Sequence, residues 1–304
     1  MNDHQKYIRY TWFVLVMVFL VIIAGGVVRM TQSGMGCPDW PRCFGRWIPP
    51  TSADQLPPDF EKYLSKQDID HTFNAYHTWI EYINRLLGAL LGVFIFIHFI
   101  WSVRRFWKTN KTVVFLSLFL LIAVGFQGWL GKKVVDHNLA AVKITTHMLV
   151  ALLIAAIPLL IIYKLKPAQK IVSNFLKWSG MVVIGLLLVQ VVLGTQVREQ
   201  IDEISKGLNY TGRELWIQQL DNMFIIHRSF SWVIGSGCLL LCWKAWRFAS
   251  LRSTAVFILL STGLTIAAGV VMAYFHIPAL AQPLHLLLAS ILLMNVFALR
   301  LQIR

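Results

Sequence analysis

Eight apolar runs punctuate the chain, at about 11–30, 79–102, 113–132, 144–163, 178–197, 223–243, 254–274 and 284–302. Each approaches the ~20 residues that an α-helix needs to cross a bilayer. The pattern predicts an all-α integral membrane protein with eight transmembrane helices. The first run is read as a retained helix and not as a cleaved leader. It is too long for a signal-peptide core, and no small-residue cleavage site follows before Arg29.

The polar connections set the orientation. Lys6 and Arg9 precede the first run, and Arg104, Arg105, Lys108 and Lys111 join the second to the third. Lys164, Lys166, Lys170 and Lys177 join the fourth to the fifth, Lys244, Arg247 and Arg252 the sixth to the seventh, and Arg300 and Arg304 close the chain. All fall on one side, which the positive-inside rule makes cytoplasmic, with both termini. The opposite connections, about 31–78 and 198–222, hold most of the acids, including Asp54, Asp59, Glu61, Asp68, Asp70, Asp202, Glu203, Glu214 and Asp221.

Composition excludes a soluble domain: 57% of residues are hydrophobic and 14% charged, with a mean hydropathy of +0.63. In a soluble chain the net charge of +14 would point to nucleic acid. Here it is a topology signal, and no nucleic-acid partner is expected.

The chain also repeats itself. Asn84-Arg85 is followed seven residues on by Gly92, and His227-Arg228 at the same spacing by Gly235. Gly131 precedes His147 by sixteen residues, as Gly269 precedes His285, and Gly25-Gly26-Val27-Val28-Arg29 is echoed by Gly194-Thr195-Gln196-Val197-Arg198. The halves are taken as 1–165 and 166–304, the first carrying the longer loops. With the topology above, His147, His227, His285 and Asn84 fall at one depth, near the outer starts of the even-numbered helices.

Ligand-type side chains inside a membrane are costly and mark functional positions. Imidazole in a bundle interior is an axial ligand for haem iron, and cofactor sites in bundles form from inward side chains on facing helices. Zinc fits less well, because no Cys or carboxylate cluster completes a tetrahedral set. His98 has no repeat partner and is read as structural; His137 and His276 are read as solvated loop residues. Glu81 shares a helix face with Asn84, three residues away. It could exchange protons or place a water, or it could pair with Arg85 or Arg29. Arg85 and Arg228 match across the repeat and suit haem propionates or simple ion pairs. Cys37 and Cys43 lie in the outer loop, where an oxidising compartment favours a disulfide. Cys238 and Cys242 are read as packing residues.

These residues resemble the haem A synthase family, membrane enzymes that oxidise haem O to haem A for cytochrome oxidases. The likeness rests on Gly25-Gly26-Val27-Val28-Arg29-Met30-Thr31-Gln32-Ser33-Gly34 running into the Cys37 loop, on Glu81-Tyr82-Ile83-Asn84-Arg85, on His147, on His227-Arg228 and on His285. It implies two pseudo-symmetric four-helix bundles in a bacterial cell membrane. His227 and His285 would hold a haem B in the C-terminal bundle, and His147 would face a haem O substrate in the N-terminal one. The family's Glu-x-x-His-Arg glutamate maps onto Glu81, and a redox role is implied for the cysteine pair. Haem O synthase and an electron donor are the expected partners.

The family pattern has His where this chain has Asn84. Either His147 alone holds the substrate iron and leaves a face open near Asn84 and Glu81, or His77 supplies the missing ligand from about 10 Å along the helix; the first is preferred. Two other classes share some features. A di-haem electron carrier would use the same histidines, and a transporter would use the repeat, but the latter needs broken helices near the midplane.

Overall fold

The computed structural model describes residues 3–64, 73–136, 141–166 and 171–304. Asp68, Asp70, His137 and Lys170 lie outside the described residues. Eight helices among the described residues are long and apolar enough to cross a membrane. They are α1 Asp3–Met30, α2 Ala75–Phe106, α3 Lys111–Asp136, α4 Ala141–Leu165, α5 Asn174–Gly207, α6 Asn222–Ala245, α7 Arg252–Tyr274 and α8 Ala281–Leu301. No strand accompanies them in the described residues, only two isolated bridges. The protein is an all-α integral membrane protein.

Local chemistry starts several helices where polar side chains can satisfy the first free amides. Asn74 accepts from the amides of Tyr76 and His77 ahead of α2, Ser173 from Leu176 ahead of α5, and Asp221 from Met223 ahead of α6. Outward-facing side chains are large and apolar, as Trp232 at 78% exposure illustrates. Such surfaces are stable only against lipid or a partner.

α5 outruns its apolar segment. The sequence pattern places a loop from residue 198, yet the helix continues to Gly207. Its charges break the hydropathy without breaking the helix. Arg198 pairs with Asp202 one turn on, at 2.8 Å. Val197 and Ile201 pack on the other face with Trp216 and Ile277.

Contacts divide the described chain into two compact units, one of residues 16–154 and one of residues 1–15 with 155–304. The divisions fall within the continuous helices α1 and α4. In the second unit α5, α6, α7 and α8 form a closed ring, each packed on the next and α5 on α8. In the first, α2 packs along α3.

Candidate functional site

The repeat-related histidines share one seat. Each ring lies against a glycine of the preceding helix. A Cβ on Gly194 would stand 3.1 Å from His227 Cε1, one on Gly269 3.3 Å from His285 Cε1, and one on Gly131 3.5 Å from His147 Cε1. A side chain at Gly194 or Gly269 would crowd the ring, and one at Gly131 would touch it, so the glycines echoed in the sequence are notches for imidazoles. The fourth seat differs. Around Gly25, among the described residues, a Cβ would meet nothing within 4 Å, and the half-buried Asn84 keeps its Oδ1 without a hydrogen-bond partner.

Sequence reasoning missed the residues four before each notch. Gln127 donates its side-chain amide to the main-chain carbonyl of His147 at 2.9 Å, and Gln190 does the same for His227 at 3.1 Å. On α7 the Thr265 carbonyl lies 3.0 Å from His285 Nδ1. The shared Gln-x-x-x-Gly spacing at 127–131 and 190–194 was the available signal.

These residues fit a haem. Among the described residues no group of three or more His, Cys, Asp or Glu could hold a bare metal ion. A porphyrin brings four nitrogen donors of its own and asks the protein only for axial ligands. Gly194 and Gly269 seat the His227 and His285 rings, and the Nδ1 atoms of His147 and His227 are buried with no hydrogen-bond partner.

One turn before Asn84, the loop that precedes α2 is anchored to that helix. Glu81 is buried at 4% exposure. One carboxylate oxygen accepts from Arg85 Nη2 at 2.5 Å and the other from the Cys37 amide at 2.7 Å. Arg85 also donates to the carbonyls of Cys37 and Asp39 at 2.7 and 2.6 Å, and to that of Arg42 at 3.2 Å. Of the roles weighed for these two residues, the structure shows the mutual ion pair, and Arg85 directs its donors to the loop. Thr78 Oγ1 donates to the Gly36 carbonyl at 2.9 Å. A Cβ at Gly36 would fall 2.4 Å from the His77 carbonyl carbon, so only glycine lets the loop lie on the helix. His77 therefore sits under this loop in the first turn of α2.

Cys37 and Cys43 form a disulfide. Asp39 closes the turn between them, accepting from the amides of Phe44 and Gly45 at 2.6 and 2.9 Å. Phe44 is buried against the rings of Tyr63 and Phe73. With so many other ties, a Cys37→Ser, Cys43→Ser double variant is expected to fold with its loop docked. It should lose only about 2 kcal/mol, the closure entropy of so short a loop, read as a lowered thermal midpoint in detergent. Loss of turnover at intact fold would instead mark the pair as redox-active.

The remaining candidates are dispersed. Arg228 is exposed near the start of α6, its guanidinium 5.7 Å from the Phe224 ring centre. His98 is fully buried in α2, His276 is exposed between α7 and α8, and Cys238 and Cys242 are buried free thiols.

Comparison with known proteins fits this arrangement. The family described as cytochrome oxidase assembly protein, COX15-CtaA, matches residues 8–297. The chain belongs to the COX15-CtaA family. Among COX15-CtaA relatives, it is 25% identical over 343 residues to the heme A synthase of Orientia tsutsugamushi strain Ikeda, covering 94% of this chain and 93% of the relative. It is likewise 25% identical over 329 residues to the heme A synthase of Rickettsia prowazekii strain Madrid E, covering 95% and 96%. With the heme A synthase of Shewanella oneidensis it shares 29% identity over 191 residues. That match covers 60% of this chain, which thus spans 55% of that relative's length.

Proposed function

We propose that this COX15-CtaA protein is a haem A synthase, which oxidises the methyl group of haem O to a formyl group and so yields haem A for a cytochrome oxidase. One observation carries the reading: three repeat-related histidines each lie against a glycine of the preceding helix, while the fourth position carries Asn84, whose buried Oδ1 has no partner. A complete pair, His227 with His285, suits a resident haem B. An incomplete pair, His147 facing Asn84, suits a haem that is itself the substrate, because oxidation at the iron needs a free coordination position.

When bound, haem B supplies one-electron chemistry. The chain's own residues do the rest. His227 and His285 grip the resident haem from helices that are neighbours in the α5–α8 ring through α7 and α5, and Arg228 offers an exposed guanidinium to its propionates. His147 holds the substrate from one side. Glu81, one turn from Asn84 on α2, is the candidate catalytic carboxylate, exchanging protons beside the open face with Arg85 as its counter-charge. The halves 1–165 and 166–304 act as substrate and cofactor units. The protein lies in the bacterial cell membrane with both termini cytoplasmic, receives haem O from the enzyme that makes it, and draws on a separate electron donor.

Purification in mild detergent, followed by haem extraction and chromatography with mass detection, tests the proposal. Haem B together with haem O, haem A or a hydroxylated intermediate is expected. Two haem B per chain, unchanged when haem O is supplied, would overturn it in favour of a di-haem electron carrier.

A further inference from the structure

A neutral imidazole binds iron through Nε2 only if its other nitrogen carries the proton, and in metal sites that N–H is almost always given to an acceptor that fixes tautomer and ring orientation. At His285 the acceptor is visible: the Thr265 main-chain carbonyl, 3.0 Å from Nδ1. Thr265 lies one helical turn before Gly269, the notch under the same ring. The equivalent residue on α5 is Gln190, one turn before Gly194, and on α3 it is Gln127, one turn before Gly131. There the Nδ1 atoms of His227 and His147 are buried with no hydrogen-bond partner. These two glutamines tie their histidines differently, their side-chain amides holding the main-chain carbonyls of His227 and His147. The amide orientation is unambiguous, because only an NH2 can donate to a carbonyl. The notch permits the arrangement: without a Cβ, the Cε1 edge of each ring closes on the neighbouring helix. α1 has no counterpart, for Val21 stands one turn before Gly25.

We propose that Gln127, Gln190 and Thr265 are positioning residues that fix how their histidines face the haem. The Thr265 main-chain carbonyl accepts from His285 Nδ1–H, and the two glutamine side chains hold the backbone of His147 and His227 in register so that Nε2 is presented to the haem. The inference rests on the haem-site reading above.

A ligand held in register donates more strongly and so favours ferric over ferrous iron, and Gln190→Met removes the side-chain tie on His227. The test is the midpoint potential and the electron paramagnetic resonance g-values of the resident haem B in Gln190→Met, with haem content measured alongside. Retained haem B is expected, with shifted g-values and a rise in potential of about 59 mV, a tenfold gain in the ferrous to ferric ratio for one electron. Gly185 on the same helix has open space around it, so Gly185→Ala should leave both readouts unchanged. If Gln190→Met fails to fold, Gly194→Ala decides, because its methyl drives the ring from its seat and should raise the potential in the same way. Normal haem B with unshifted potential and g-values in the folded variant overturns this inference alone. Absence of haem B from the unaltered protein sinks the functional reading and this inference with it.

Discussion

An Asn84→His variant is expected to bind its substrate haem through two imidazoles, turning a high-spin, ligand-accessible centre into a low-spin, closed one. The repeat places Asn84 where His227 stands in the second half of the chain. Around Gly25, the glycine that matches Gly194, a Cβ would meet nothing within 4 Å among the described residues. Asn84 Oδ1 is buried with no partner. A histidine in its place would gain a ligand position and lose an unsatisfied acceptor, whose burial costs about 1–3 kcal/mol. Optical spectra in the presence of millimolar imidazole provide the readout. The unaltered protein should bind external imidazole at the substrate haem, and Asn84→His should not. Asn84→Ala should retain both haem and imidazole binding. If His77→Ala abolishes substrate-haem binding while Asn84→Ala leaves it intact, His77 is the ligand and the open-face account fails.

Much of this was legible in the chain because two signals were local. Apolar runs of membrane-spanning length marked every long helix, and matched spacings marked His147, His227 and His285 together with the vacancy at Asn84. The part that stayed hidden joins residues distant in sequence. Cys37 and Glu81 meet across 44 positions and His147 and Gln127 across 20, and neither spacing has a helical or strand period. Gln127 and Gln190 stand alone in apolar helices, and only the glycines one turn later and the folded structure show which backbone they hold. The outer reach of α5 was obscured differently. Hydropathy falls where Arg198 and Asp202 begin, although their spacing, with Val197 and Ile201, is that of a continuing amphipathic helix. Glu81 and Arg85 had offered alternative roles because either residue could serve a haem or the other. Their ion pair is an i,i+4 contact within α2, but the carbonyls around Arg85 and the Cys37 amide on Glu81 are in place only once the loop is folded back onto the helix.

That fold-back makes Glu81→Gln the most consequential single change. If the carboxylate exchanges protons in the reaction, turnover should fall by about 10²–10⁴-fold, the usual contribution of a placed acid or base, while substrate haem remains bound. The geometry supplies a competing explanation that the experiment must separate. Both oxygens of Glu81 accept buried hydrogen bonds, from Arg85 and from the Cys37 amide. An amide keeps one acceptor and turns an NH2 toward the other donor, so either Arg85 or the loop loses its partner. Breaking a buried ion pair from one side costs about 3–5 kcal/mol, enough to undock the loop and lower turnover without any loss of chemistry. Thr78→Ala distinguishes the two. Thr78 ties the same loop through the Gly36 carbonyl but leaves the carboxylate and Arg85 untouched. Protease sensitivity of the 36–43 segment reports docking in both variants. A proton-transfer role requires that Thr78→Ala loosen the segment with little change in turnover, while Glu81→Gln loses turnover far beyond what equal loosening explains. Equal losses at equal loosening would make Glu81 a tether for the loop, with the reaction's protons carried elsewhere.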